Sequence, residues 1–293
     1  MAGTLSAGVL YALATAVTIG SITTFARVYY NEGGDGTSLM MVRFVASASL
    51  IGLFALTTGR SLIVGQHERR SVFKVALVWA ASMICYLKSV ETISVSLAVL
   101  ILYTYPLLVL MLSMLNKRID ASLGHILLFV LAFVGLALAL FSGDVRIDSL
   151  GLTLACCAAL GAAYTFFAGA DVAPRVSSWA ISFWTSVIGV VLLSPFMGDG
   201  IARPTGSAGL WALIIATLCY AVAVVCQFAA LSRMSAAKAS FLLNLEPVVS
   251  ILLAAVVLSE TLTLIQWAGV VLILGVLFGS SGTLFRRPSD GEN

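Results

Sequence analysis

The residue best placed for chemistry is a carboxylate beside a proline. Glu246 precedes Pro247 inside a long apolar stretch. It lies about 10 residues into that stretch, roughly 15 Å deep at 1.5 Å per helical residue. A charge in a membrane interior is costly, so one that is kept there is a functional candidate. One reading has the carboxylate bind a substrate amine or a coupling proton. The other has it protonated or hydrogen-bonded, fixing the proline bend. Pro106 occupies a matching place in an earlier stretch. The two prolines remove helix hydrogen bonds, freeing the carbonyls of Leu102 and Leu243. Bent helices at corresponding places point to a binding region or to its hinges.

Polar and aromatic side chains share these stretches. Asn244 and Gln227 are amides in apolar surroundings. They need partners, from neighbouring helices first and from cargo second. Tyr103, Tyr105, Tyr164, Trp184 and Tyr220 stand near mid-stretch. Such rings suit a mainly apolar pocket with a polar handle, and packing alone also accounts for any one of them. On a continuous helix Tyr103 and Tyr105 are about 200° apart, so one of them at most is expected to face a cavity. Arg43 and Lys88 stand toward one end of their stretches, at a mouth where a basic side chain could meet a carboxylate. Snorkelling to the interface is the plainer reading. Neither is expected at mid-membrane depth, which disfavours phosphorylated cargo. Trp79, Trp179, Trp211 and Trp267 lie nearer the ends and read as interface anchors.

Enzymatic and metal signatures are missing. The two histidines, His67 and His125, stand in a connection and at a span end. No phosphate loop or Ser-His pair accompanies them. Cys85, Cys156, Cys157, Cys219 and Cys226 all lie in apolar stretches, without metal-ligand spacing, and read as small packers. No enzyme activity, cofactor or metal is expected.

The elements that position these residues follow from composition. Only 29 of 293 residues are charged, 10%, against about 25% in a soluble domain. Apolar residues make up 60%, and mean hydropathy is +1.08. A soluble, disordered or nucleic-acid-binding chain fits poorly, and a formal charge of +3 is too scattered for a polyanionic partner. A bilayer span takes roughly 20 apolar residues. Ten spans are read near 4–26, 39–58, 72–90, 94–115, 121–141, 149–169, 177–197, 208–231, 236–259 and 262–284. Short polar separators divide them, among them Gln66-His67-Glu68-Arg69-Arg70, Asn116-Lys117-Arg118 and Gly143-Asp144. The spans should be helices, since an open sheet would strand its polar backbone in hydrocarbon. The first reads as a span and not as a cleaved signal peptide, because no basic region precedes it.

Lysine and arginine set the orientation. With the N-terminus cytoplasmic, the inner side receives Arg60, Arg69, Arg70, Lys74, Lys117, Arg118, Arg175, Arg233, Lys238, Arg286 and Arg287. The outer side receives Arg27, Arg43, Lys88, Arg146 and Arg203. Both termini are therefore expected inside.

The halves also resemble each other. Gly8, Ala12, Ala16 and Gly20 recur as Gly151, Ala155, Ala159 and Ala163. Gly135 and Ala139 correspond to Gly275 and Gly279. Ser94, Ala98, Leu102, Pro106 and Leu112 match Ser235, Ala239, Leu243, Pro247 and Leu253. A five-span unit is odd, so its second copy inserts upside down. The expected fold is an all-α integral membrane protein of ten transmembrane helices in a 5+5 inverted repeat. Its parts are residues 1–142, residues 149–285 and a cytoplasmic tail 286–293.

This organisation resembles the drug/metabolite transporter superfamily and its EamA-type exporter branch. The likeness is clearest in Gln227-Phe228-Ala229-Ala230-Leu231, Ser235-Ala236-Ala237-Lys238-Ala239, Leu245-Glu246-Pro247, Leu258-Ser259-Glu260 and Gln266-Trp267-Ala268-Gly269. Arg43-Phe44 and Tyr105-Pro106 echo it in the first half. Lys117-Arg118 departs from it, standing where a glutamate is common. The resemblance implies export of small metabolites, amino acids foremost, across the inner (plasma) membrane by alternating access. The substrate would be a small molecule, the surroundings a lipid bilayer, and Glu246 permits a coupling proton. Within the branch, the chain is similar to YddG-like exporters of aromatic amino acids. A multidrug or nucleotide-sugar carrier is the alternative, with a channel or membrane-embedded enzyme further off.

Overall fold

The computed structural model describes residues 6–119, 122–140, 146–198 and 200–279. Gly143-Asp144, the end of the last expected span and the tail 286–293 with its Arg286 and Arg287 lie outside them. Within them the chain is helical, with no strand. The helices are α1 (Ala7–Asn31), α2 (Gly36–Thr58), α3 (Gln66–Ser89), α4 (Val95–Leu102), α5 (Tyr105–Leu115) and α6 (Leu123–Ala139). Then follow α7 (Ser149–Val172), α8 (Ser178–Leu193), α9 (Ser207–Leu231), α10 (Ala236–Leu242), α11 (Leu245–Val257) and α12 (Leu264–Gly279). Counting α4–α5 and α10–α11 as one crossing each gives the ten expected. Eight crossings are long and apolar enough for a bilayer, while α6 and α12 are apolar but only 17 and 16 residues long.

Two helices start earlier than expected. Helix α2 begins at Gly36 because Asp35 caps it, accepting from the Ser38 N–H at 2.9 Å and the Ser38 hydroxyl at 2.6 Å. Helix α3 begins at Gln66, so His67, Glu68, Arg69 and Arg70 form its first turns and not a connection. An apolar pattern marks where hydrocarbon starts, whereas a helix continues into water for as long as its backbone is capped.

The expected proline bends are full interruptions. Helix α4 stops at Leu102, and α5 resumes at Tyr105 with Pro106 in its first turn. Helix α10 stops at Leu242, and α11 resumes at Leu245 with Pro247 in its first turn. Proline suits a helix start and not an interior, because it lacks the N–H.

Small residues set the packing. Helix α1 lies closely along α9, and α3 along α7. Ala12 and Ala16 are fully buried on α1, as are Ala155 and Ala158 on α7. The Ser82 hydroxyl donates to the Ala158 carbonyl at 2.6 Å, and a Cβ on Gly161 would meet Ser82 at 2.8 Å. Helices α6 and α12 meet at Gly135 and Gly269, where a Cβ on Gly269 would reach the Ala139 nitrogen at 2.4 Å. Gly275 and Gly279, matched in sequence to Gly135 and Ala139, face open space instead.

The bundle is closed at one end and parted at the other. Helix α5 packs on α10, whereas their counterparts α4 and α11 scarcely touch. At the closed end Arg118 grips Asp171 with two hydrogen bonds, at 2.7 and 2.8 Å, and stacks on Phe167 at 3.7 Å. Arg175 pairs with Glu68 at 3.0 Å at the same end. At the parted end Arg27 pairs with Glu260 at 2.9 Å, tying α1 to the end of α11.

Candidate functional site

The two interruptions meet at Glu246. It is the second residue of α11, and its half-buried side chain neighbours the phenol of Tyr103, which caps the end of α4. Helix α1 approaches this point closely because residue 20 is glycine. A Cβ there would stand 2.6 Å from the Glu246 carbonyl oxygen and 2.9 Å from the Val249 Cβ. One turn on, the Thr23 and Ser250 hydroxyls hydrogen-bond, and the Thr24 hydroxyl donates to the Ser250 carbonyl at 3.2 Å.

Tyr103 and Tyr105 are both buried, their rings are 5.9 Å apart, and each lies within electrostatic reach of the carboxylate. Tyr105 also packs on Phe166 at 5.1 Å. By the 141-residue offset, Tyr105 occupies the place in the first half that Glu246 holds in the second.

Arg43 is the eighth residue of α2, two turns from the Asp35 cap. Its guanidinium sits over the Tyr220 ring at 5.3 Å, and that ring meets Phe44 edge-on at 5.7 Å. Phe44 fits because residue 189 is glycine, where a Cβ would come within 2.8 Å of its ring. Among the described residues Arg43 forms no ion pair, and its Nε is buried without a hydrogen bond.

Tyr86 of α3 lies within electrostatic reach of both Arg43 and Glu246. Tyr30, exposed near the end of α1, is near Arg43 as well. Trp79, expected as an interface anchor, is buried. Its Nε1, the Tyr220 hydroxyl and the Thr217 hydroxyl are all buried without a hydrogen bond of good geometry. Sequence reasoning passed over Tyr86, Tyr30 and Thr217. The available signal was spacing: Trp79 and Tyr86 are seven apart, and Thr217 and Tyr220 three apart, each pair on one helix face.

The remaining candidates stand apart from this cluster. Lys88 pairs with Glu91 at 2.7 Å and lies over Phe196 at 5.6 Å, at the end of α3. The Trp184 Nε1 donates to the Leu62 carbonyl at 3.1 Å, beside the α2–α3 connection. Tyr164 is exposed with Leu160 on an outward face of α7, which also carries Cys156 and Cys157. These two thiols are exposed and not core packers, since their side of α7 faces away from the bundle. Gln227 is buried near the closed end with its amide nitrogen unpartnered. Asn244 donates to the Phe241 carbonyl at 2.8 Å, closing the break in its own crossing and not bridging to another helix.

Known proteins agree with this architecture. A crystal structure of a protein 17% identical in sequence superposes with a TM-score of 0.81, covering 98% of this chain and 100% of that one. An uncharacterized transporter of Archaeoglobus fulgidus is 27% identical over 267 residues, 90% of this chain and 92% of that protein. The uncharacterized transporter YxxF of Bacillus subtilis is 26% identical over 290 residues, 96% of this chain and 91% of that protein. The model of the EamA-like transporter family matches twice, over residues 6–141 and 149–282. The chain is a multi-pass membrane protein of the EamA-like transporter family.

Proposed function

We propose that this transporter exports small, partly apolar metabolites, amino acids foremost and aromatic ones among them, by alternating access through a cavity between two inverted five-helix repeats. One observation carries the reading. Glu246 is only half-buried at the start of α11, which scarcely touches α4, while α5 packs on α10 toward the opposite end. A site open to one side beside paired helix breaks is the geometry alternating access uses. The reciprocal packing of α1 on α9 and α7 on α3, and the double family match, support the inverted repeat. The first repeat is residues 1–142 and the second 149–285.

The basic end, with Arg118, Arg175 and Arg233, is cytoplasmic by the positive-inside rule, with both termini on that side of the inner membrane. The parted end then faces outward. Pro106 and Pro247 mark the hinges on which the half-helices turn. Glu246 supplies a site for a coupling proton.

Flux of radiolabelled phenylalanine, tyrosine and tryptophan into proteoliposomes, with and without a pH gradient, tests this. Saturable flux is expected, and stimulation by the gradient would establish coupling. Absence of flux for every amino acid would sink the cargo assignment. Saturable flux of a cationic drug or a nucleotide sugar instead would favour the alternative carrier. One unpaired cation, Arg43, is a thin match for a diphosphate.

A further inference from the structure

We propose that the end of α2 binds the headgroup of an anionic phospholipid, Arg60 holding the phosphate while Arg70 and Lys74 add charge beside it. The site depends on the chain's being a membrane protein and on nothing about its cargo.

The turn that ends α2 sets the place of Arg60. Gly59 takes a left-handed conformation, φ 66°, and the Arg60 N–H donates to the Ala55 carbonyl at 3.0 Å. The side chain then lies against two rings. Its guanidinium is 5.6 Å from the centre of the Trp179 ring and 5.9 Å from that of Phe54. Those rings stack on each other at 4.4 Å, joining the end of α2 to the start of α8. The connection that follows is fastened twice. The Trp184 Nε1 donates to the Leu62 carbonyl at 3.1 Å, and the Arg69 Nε donates to the Val64 carbonyl at 3.1 Å.

Charge at this corner is one-sided. From residue 53 to residue 74 the charged side chains are Arg60, Glu68, Arg69, Arg70 and Lys74. The single carboxylate, Glu68, is already held by Arg175. Arg60, Arg70 and Lys74 are exposed and form no ion pair among the described residues, whereas Arg27, Lys88 and Arg118 each have a carboxylate partner. A guanidinium laid over rings keeps the N–H groups of its edge, and these suit two phosphate oxygens at once. Leu53 and Leu56 stand 60% and 83% exposed on the turns before Arg60, where acyl chains would lie. A free anion makes no use of such leucines. A basic cluster above an apolar, outward-facing surface is the complement of an anionic lipid.

The test titrates the purified protein in detergent with dioleoyl-phosphatidylglycerol and with dioleoyl-phosphatidylcholine, and counts bound lipid by native mass spectrometry. The wild type is expected to prefer the anionic lipid by at least about tenfold. Arg60→Gln should weaken binding of that lipid about fivefold, the order expected from one cation at a bilayer surface. Arg60→Lys keeps the charge without the planar edge and should fall between the two. Arg70→Gln combined with Lys74→Gln leaves the ring stack whole and should weaken binding at least as much as Arg60→Gln. Arg203→Gln removes an equal charge from the α8–α9 connection and should change nothing. Thermal unfolding without added lipid shows that each variant is folded. A wild type that takes both lipids alike, an Arg60→Gln that binds as the wild type does, or an equal loss in Arg203→Gln overturns the site. Displacement of the lipid by inorganic phosphate, beyond that caused by chloride of equal ionic strength, overturns the lipid in favour of a free anion.

Discussion

The Tyr103 phenol neighbours the Glu246 carboxyl at the point where two interrupted helices meet. One residue ends α4, the other opens α11, and they come from opposite halves of the chain. Their contact therefore reports on the junction of the two halves.

Removing the phenol oxygen should be felt in transport before stability. Tyr103→Phe keeps the buried ring and takes only a polar neighbour from Glu246, so it should cost no more than about 1 kcal/mol. Thermal unfolding in detergent checks this. Glu246→Gln keeps a polar side chain of the same shape beside Tyr103, so it should unfold near the wild-type temperature while losing flux. A loss of several kcal/mol in Tyr103→Phe would show that its hydroxyl is held more strongly than this contact allows.

Two glycines should respond oppositely to the same change. Gly20→Ala drives a Cβ against the Glu246 carbonyl and Val249 and should cost about 1–3 kcal/mol, the range for overpacking. Gly275→Ala meets nothing within 4 Å and should be neutral within about 0.5 kcal/mol. Chemical or thermal unfolding of both variants checks this. Equal effects would mean that α1 and α11 are not in close contact in the working protein.

Access from one side can be read with thiols. In a background with its five native cysteines replaced, Thr23→Cys stands exposed on the parted side of α1. Ser113→Cys is buried at the closed end, beside a cleft of about 400 Å³. An impermeant maleimide added outside right-side-out vesicles should label the first and spare the second. Protection of Thr23→Cys there, with labelling of Ser113→Cys in inside-out vesicles, would show that the opposite end is the open one.

The Arg118–Asp171 pair should matter less than its geometry suggests. Both side chains are about one-third to one-half exposed, and exposed pairs contribute roughly 0.2–1 kcal/mol. A double-mutant cycle of Arg118→Ala and Asp171→Ala, run at low and high salt, should give a coupling in that range that shrinks with salt. Arg118→Lys should lose more than charge alone predicts, because only a planar guanidinium stacks on Phe167 and pairs twice. A salt-insensitive coupling of several kcal/mol would mark the pair as buried in another conformation.

Much of the fold was legible in the sequence because one cause dominates it. Apolar stretches long enough for a bilayer must be helices, and their number follows from counting. Pro106 and Pro247 flagged the two crossings that break, since proline cannot continue a helix hydrogen-bond ladder. Glu246 was legible for a similar reason, as a charge where charge is costly. The starts of α2 and α3 were less legible, because hydropathy shows where hydrocarbon begins and not where a helix begins. Asp35 and the charged first turns of α3 extend both helices beyond their apolar stretches.

The sequence by itself determined a membrane-spanning helical chain with matched halves and one carboxylate beside a mid-span proline. These follow from the cost of exposing polar backbone or bare charge to hydrocarbon, which acts on each segment separately. Only the tertiary structure decided which side chains meet. Tyr103 and Tyr105 bring their rings within 5.9 Å of each other. Gly20 draws α1 onto Glu246, and Gly269, not Gly275, joins α12 to α6. Tyr86, unremarked in its own span, comes within electrostatic reach of both Arg43 and Glu246. Those relations depend on which helix faces pack together and which end parts, and no single span carries that information.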